Sequence, residues 1–316
     1  MLAGFLCKET YMILRYKANG LPAPMLLKNY LRSCCGISMG LWRRIKWNGT
    51  ITINNLEVRA TIAMVSEGDD IICSVPEESK LEPVKLPLDI RYEDDYMLIV
   101  NKPPGMVVHP VAGDYTGTLG NAIMYYYKET GQDLDFHPVH RLDRNTTGLV
   151  MIAKLPQLQN ALTQPRKRAD YSGNPAKLFK RSYLAIVKGF LPEPQGTIDL
   201  NIARHPDSII QRICPMDGSG QIAITHYQTL SFRNGLSLLK LSLETGRTHQ
   251  VRVHLASLGY PLIGDDLYGG DNSQFGRQAL HACHISAQNP LTGLSISVYA
   301  NMPADMQSFF YSKKTS

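Results

Sequence analysis

Between Val75 and Ile90 the chain reads VPEESKLEPVKLPLDI, with three prolines, mixed charges and no sustained apolar period. Each proline lacks an amide donor and fixes its own φ, so neither a helix interior nor a central strand can run through such a stretch. Linker chemistry of this kind predicts two folding units: a small one over residues 1–75, a linker over 76–87, and a larger unit over 88–316. A length of 316 residues suffices for one small and one medium core. No internal repeat or low-complexity tract competes with this division.

In the small unit, APMLLKNYLRSCC carries Leu27, Tyr30 and Leu31 at helical spacing, with Lys28 and Arg32 four apart on a neighbouring face. MGLWRRIKWNG reads as a second short helix stopped at Gly49. TITINNLEVRA and IAMVSEGDDIICSV read as strands, turned at Asn54-Asn55 and at Glu67-Gly68-Asp69. From Pro24 to Asn54 there are five basic residues, Lys28, Arg32, Arg43, Arg44 and Lys46, and no acidic one. A solvated helix face normally mixes signs, so the bias points to a polyanionic partner. Trp42 and Trp47 interleave with these cations, and tryptophan at such positions is more often core than stacking platform.

Past the linker, LDIRYEDDYMLIVNKPPG reads as strand, acidic turn, strand and Pro-Gly loop. GLVMIAK is a continuous apolar run suited to a buried strand, and RSYLAIVKG and LSLLKLSLE are further strands. THQVRVHLASLGYP predicts a helix with Val251, Leu255 and Leu258 on one face and His249, Arg252 and Ala256 on another. Strands outnumber helices and short turns recur. The expected fold class is therefore α+β, a mixed and largely antiparallel central sheet with flanking helices.

The formal net charge is +6 and the sequence pI near 8.9, which permits an acidic partner without demanding one. Six cysteines without a C-x-x-C pair suggest neither a disulfide framework nor a zinc site. The HACH segment, His281 to His284, lacks the remaining ligands of a zinc set and reads as buried structure. The opening residues form neither a signal peptide nor a membrane span, so a cytoplasmic, non-membrane and monomeric protein is expected. Neither a nucleotide-binding glycine fingerprint nor a metal-ligand spacing occurs.

One stretch stands apart. HPVHRLDRNTTGLV places Asp143 between Arg141 and Arg144, just ahead of the buried apolar run. Surface ion pairs contribute only about 0–1 kcal/mol, so stability alone is a weak reason for the cluster. With NKPPGMVVHP, KRSYLA and TGRTHQVRVHLASLGYPLIGDDLYG, it resembles the RluA-type pseudouridine synthases from about Leu88 to Gly293. IKWNGTITINN and SEGDDI, following the two basic helices, resemble the S4 RNA-binding domain.

The resemblance implies conversion of uridine in structured RNA to pseudouridine, with ribosomal RNA favoured over transfer RNA as the partner. The C1′–N1 bond breaks, the uracil turns, and C1′ joins C5, without cofactor. It makes Asp143 the carboxylate that acts on the sugar, whether by attack on carbon or by removal of a sugar proton. Arg252 would be its basic partner, and Tyr183 a stacking surface for uracil or an aid to loss of the C5 proton. Arg141 would occupy the space left by the flipped nucleotide, with His140 and Leu142 beside it at the substrate. Lys28, Arg32, Arg43, Arg44 and Lys46 would bind RNA.

Two departures accompany the match. Asn145 stands where an acidic residue is commoner, and QPRKRADYSGNPAKLFK is longer than the usual connection. Its Arg166, Lys167 and Arg168 suggest a loop that contacts RNA. Two other readings remain. A non-catalytic RNA-binding or assembly factor on the same fold would have lost members of the catalytic set, yet all are present. A hydrolase using Asp143 with His140 or His249 would need a nucleophile elbow or metal pair that the sequence lacks.

Overall fold

A computed structural model describes residues 11–76, 81–111, 113–163, 178–271, 273 and 275–312. Arg166, Lys167 and Arg168 lie outside the described residues.

The N-terminal part builds a four-stranded antiparallel sheet in the order Tyr11–Lys17, Asp70–Pro76, Thr50–Ile53, Leu56–Glu57. Asn54 and Asn55 both take positive φ, 51° and 65°, which is the backbone a two-residue hairpin turn requires. Two helices, α1 (Leu27–Ser33) and α2 (Met39–Asn48), cover this sheet. Leu27, Tyr30 and Leu31 of α1 and Leu41, Trp42 and Ile45 of α2 join Leu14, Ile51 and Ile71 in one apolar core. The tryptophans divide: Trp42 is core, whereas Trp47 is 73% exposed with the Lys46 ammonium 4.2 Å from its ring centre.

The described part of the proline-rich stretch is docked on the larger core. The Asn121 side chain donates to the Glu82 carbonyl (2.8 Å), and the Val84 amide donates to the Asn121 carbonyl (3.1 Å). Asn121 belongs to α3 (Leu119–Glu129), whose Thr118 cap and Asn121 bond reciprocally.

The larger sheet is mixed and largely antiparallel. Its order is Gln195–Asp199, Ile224–Arg233, Leu236–Leu243, Phe179–Lys188, Leu280–Gln288, Thr147–Ala153, Met97–Lys102, Ile90–Glu93. Ser295–Tyr299 pairs with Leu280–Gln288, and Thr147–Ala153 runs parallel to Leu280–Gln288. All seven residues of Thr147–Ala153 are buried. Alternation sends Leu98, Val100, Val150 and Ile152 into one core and Met97, Ile99, Leu149 and Met151 into another on the opposite face. Leu119, Ile123 and Tyr127 of α3 close the first core, and Leu158 and Leu162 of α4 (Pro156–Thr163) close the second.

The predicted helix near residue 250 is α5, Gln250–Ser257. Val251 and Leu255 enter the core as expected, while Leu258 caps the helix and is 40% exposed. α6, Ala304–Tyr311, packs Met306 and Phe310 beside Ile186 and Ile263. Among the described residues no helix is long and apolar enough to cross a membrane.

Candidate active site

Asp143 sits on the loop entering the central strand Thr147–Ala153, so the most buried element of the sheet sets its position. That strand lies close against its parallel neighbour at Gly148. A Cβ there would fall 2.3 Å from the Ala282 carbonyl oxygen, and the residue has φ +113°. Only glycine fits such an approach.

Three residues in a row after Asp143 are gripped from behind. Lys102, 1% exposed, donates through Nζ to the carbonyls of Pro103 (2.8 Å), Met106 (2.8 Å) and Arg144 (3.0 Å). Burial pushes its ammonium down to about 7, against the pull of nearby Asp143. Arg277 donates to the Asn145 carbonyl at 3.3 Å and is itself paired with Asp305 of α6 at 2.8 Å. The Gln278 amide donates to Thr146 Oγ1 at 3.2 Å. The HACH segment also serves this loop: His281 Nδ1 lies 2.9 Å from Thr147 Oγ1, and burial pushes its pKa down to about 4. With Nε2 facing the Ala300 carbonyl, Nδ1 of the neutral ring accepts from the threonine hydroxyl.

In front of the loop stands Arg252 of α5. Its Nη1 donates to Asp143 Oδ2 at 3.3 Å, while Nε and Nη2 hold both oxygens of Asp265 at 2.8 Å. Asp265 is fully buried. Burial works against the Arg252 cation, but Asp265 and Asp143 outweigh it and raise its pKa. A bidentate pair fixes the plane of the guanidinium and so aims its free edge at Asp143. His249 takes a left-handed backbone (φ 58°) and brings Nε2 to 3.8 Å from Asp143 Oδ2. Among the described residues nothing hydrogen-bonds Asp143 Oδ1, so one carboxylate oxygen is held and the other is free.

These groups face a cavity of about 550 Å³, whose lining includes Arg141, Asp143, Tyr183, Leu243, His249 and Arg252. Tyr183 is 4% exposed and lies at a register shift between Phe179–Lys188 and Leu280–Gln288. Such bulges re-aim side chains beside sites. Burial raises its phenol pKa, with Asp143 adding to the effect and Arg181 opposing it. A phenol of that kind stays neutral near pH 7 and offers an aromatic face.

The remaining sequence candidates separate. Arg141 is exposed and makes no ion pair among the described residues, whereas Arg144 pairs with Asp114 at 2.8 Å. Leu142 is buried and anchors the loop in the core while also lining the cavity. His140 lines the cavity too, but its Nε2 accepts from the Met151 amide (3.2 Å), and burial drives its pKa well down. It is a neutral brace between loop and strand. Lys28, Arg32 and Arg43 are exposed on α1 and α2, Lys46 is half-buried, and Arg44 is half-buried toward His137, whose pKa it helps to lower.

Sequence reasoning passed over Asp265 and Lys102. Asp265 was one half of an acidic pair in IGDDLYG, and only its zero exposure against a guanidinium gives it meaning. The signal for Lys102 was a lysine ending an apolar strand, which a buried position makes costly without partners.

The family model described as RNA pseudouridylate synthase matches residues 96–257, a span that contains Asp143, Tyr183 and Arg252. The chain belongs to the RNA pseudouridine synthases. It is 40% identical over 286 residues to the Bacillus subtilis (strain 168) RNA pseudouridine synthase YjbO, covering 89% of this chain and 97% of that relative. It is 38% identical over 251 residues to ribosomal large subunit pseudouridine synthase D of Escherichia coli (strain K12), covering 75% and 73%. In fold it is similar to human RNA pseudouridylate synthase domain containing 1, with a TM-score of 0.54 at 24% identity over 70% of this chain and 86% of that one. As a pseudouridine synthase, the enzyme isomerises uridine within RNA. The site must therefore hold a sugar and its detached base at once, and a cavity of about 550 Å³ falls in the size range of small-ligand sites.

Proposed function

We propose that this enzyme modifies uridine in ribosomal RNA of the large subunit, with Asp143 as the group that acts on the ribose. The observation that carries the residue assignment is the half-held carboxylate: Arg252, locked to buried Asp265, holds Oδ2, and Oδ1 has no hydrogen-bond partner among the described residues, on a side chain that lines the cavity. Attack at C1′ and removal of a sugar proton both use that free oxygen. The C1′–N1 bond breaks, the detached uracil stacks on Tyr183 while it turns, and its C5 bonds to C1′. The C5 proton is lost and N1 gains one, so no atom is added overall. Arg141, unpaired and at the cavity edge, fills the gap in the RNA that extrusion leaves, which offsets part of the few kcal/mol that flipping costs.

The choice of ribosomal RNA rests on relatives named ribosomal large subunit pseudouridine synthase D, which the chain matches at 37–41% identity. It is tested by incubating the enzyme with unmodified large-subunit ribosomal RNA and with transfer RNA transcripts. Pseudouridine is expected in the first; formation in transfer RNA alone would overturn the choice.

Residues 1–75 are proposed as an S4-like RNA-binding domain, joined through 76–87 to a catalytic domain over 88–316. Its support is a core of its own beneath a surface that exposes Lys28, Arg32 and Arg43, with Trp47 beside Lys46. Reversing the charge of Lys28, Arg32 and Arg43 together should weaken RNA binding and flatten its salt dependence by about 0.7–0.9 logarithmic units for each phosphate no longer neutralised. An unchanged slope would contradict the assignment.

A further inference from the structure

Asp143 is approached from two sides. Besides the cavity that contains Tyr183, a second cavity of about 390 Å³ opens against the same loop and shares Arg141, Leu142, Asp143, His249 and Arg252 with the first. Its other walls come from different elements: His109 and Val111 from the loop after Lys102, Ile210 from the turn joining Ala203–Arg204 to Arg212–Ile213, and Leu267 after Asp265. Asn145 and Gln278 line it too, as do the charged Arg144 and Asp266. The isomerisation uses none of these eight.

The lining has the character of a base-binding slot. Ile209 and Ile210 are 83% and 59% exposed, two adjacent apolar side chains held in solvent at a hairpin tip beside the reacting centre. The His109 ring stands edge-on to Phe136 at 5.2 Å, and burial together with Arg141 lowers its pKa, so it presents a neutral flat face. Gln278 is tied to Thr146. The Asn145 carbonyl accepts from Arg277, but its side-chain amide has no hydrogen-bond partner among the described residues. Apolar walls with a few unfilled polar groups suit a splayed nucleobase, whose faces pack and whose edge must be bonded. Arg141 lines both cavities, so a phosphodiester joining two nucleotides, one in each, would pass an unpaired cation.

We propose that the second cavity receives the base of the nucleotide next to the target uridine, and that Asn145 helps to select it. This rests on the reading that the uridine itself enters the first cavity. An amide both donates and accepts, so it can bond the carbonyl edge of uracil or guanine as well as an amino group. A carboxylate in its place could only accept, and would favour the amino groups of adenine, cytosine and guanine over uracil, which has none.

The test is equilibrium binding of uridine 5′-monophosphate, of the seven uridine dinucleotides UpN and NpU, and of matching dinucleotides with an abasic second sugar. In one of the two series the second base should tighten binding about tenfold over its abasic counterpart. Ile210→Asp should abolish that gain while leaving the mononucleotide affinity unchanged. Asn145→Asp should keep the gain for adenine, cytosine and guanine and lose it for uracil. A second base that adds nothing in either series would overturn the proposal. So would an Ile210→Asp variant that weakens mononucleotide and dinucleotide in the same proportion, and an Asn145→Asp variant with an unaltered base order would remove the selecting role. Failure of the first-cavity reading looks different: the mononucleotide would not bind, while dinucleotides would still separate from their abasic forms.

Discussion

At the scale of single residues, the site works by holding one charge with another that is itself held. Arg252 is nearly buried, and its partner Asp265 is wholly so. Removing the carboxylate in Asp265→Ala would leave a buried guanidinium with Asp143 alone, and breaking a buried pair costs about 3–5 kcal/mol. Urea unfolding should show a loss of that order, and the rate of pseudouridine formation should fall with it, because nothing then fixes the guanidinium plane. A variant as stable and active as wild type would show that Asp265 does not set Arg252. The pairing of Asp143 with Arg252 was legible in the sequence through the motifs that carry them. Asp265 was not, because two adjacent aspartates in a glycine-rich stretch read as a surface turn until burial separates them. The two arginines around Asp143 also looked alike, yet Arg144 is spent on Asp114 and Arg141 is unpaired.

At the scale of elements, the catalytic loop inherits its position from the strand it enters. Gly148 allows Thr147–Ala153 to approach Leu280–Gln288 at Ala282, and a methyl group would collide with three backbone atoms there. Gly148→Ala should destabilise the protein by roughly 2 kcal/mol or more, through both the collision and the positive φ. Thermal unfolding measures the first effect. A fall in activity at temperatures where the variant stays folded would report the displaced loop, and a fully active, fully stable variant would contradict this account of the strand pair. The apolar run of this strand was evident from sequence, as were the α5 helix and the strand from Leu236 to Leu243. α3 was not. Its LGNAIMYYYKE has glycine and asparagine in the first turn and continues into tyrosines, residues of low helix propensity. What makes it a helix is the Thr118–Asn121 cap and the burial of Leu119, Ile123 and Tyr127 against the sheet. Helix formation here is decided by tertiary packing, which local pattern does not contain.

At the scale of the whole molecule, the mixed, largely antiparallel sheet was readable from the count and spacing of strands. Which strand lies beside which was not readable, since the parallel contact joins residues 147–148 to 281–282 across more than a hundred positions. The same architecture disfavours the charged form of seven histidines by burial. His109, His137, His140, His249, His254, His281 and His284 all have pKa values lowered, in each case first by burial, with His281 pushed down to about 4. The unfolded chain binds protons at these sites near pH 6.5, where the folded chain does not. Stability from them is therefore present above pH 6.5 and lost as pH falls from there toward 4. His281 alone accounts for a loss on the order of 3 kcal/mol across that window. Urea midpoints measured from pH 7 down to pH 4 should decline, and decline less in His281→Gln; equal slopes for the two proteins would contradict the buried-neutral assignment.

The central claim is that the half-held carboxylate of Asp143 performs the isomerisation. It is tested most directly by comparing wild type with Asp143→Asn on unmodified large-subunit ribosomal RNA, reading pseudouridine at single-nucleotide resolution and RNA affinity in parallel. Asparagine preserves size and can still meet Arg252, so folding and RNA affinity should remain within a few-fold of wild type. Product formation should drop by roughly 10³-fold or more, the scale at which a group engaged in the chemical step is lost. An Asp143→Asn enzyme that forms pseudouridine at the wild-type rate would contradict the claim.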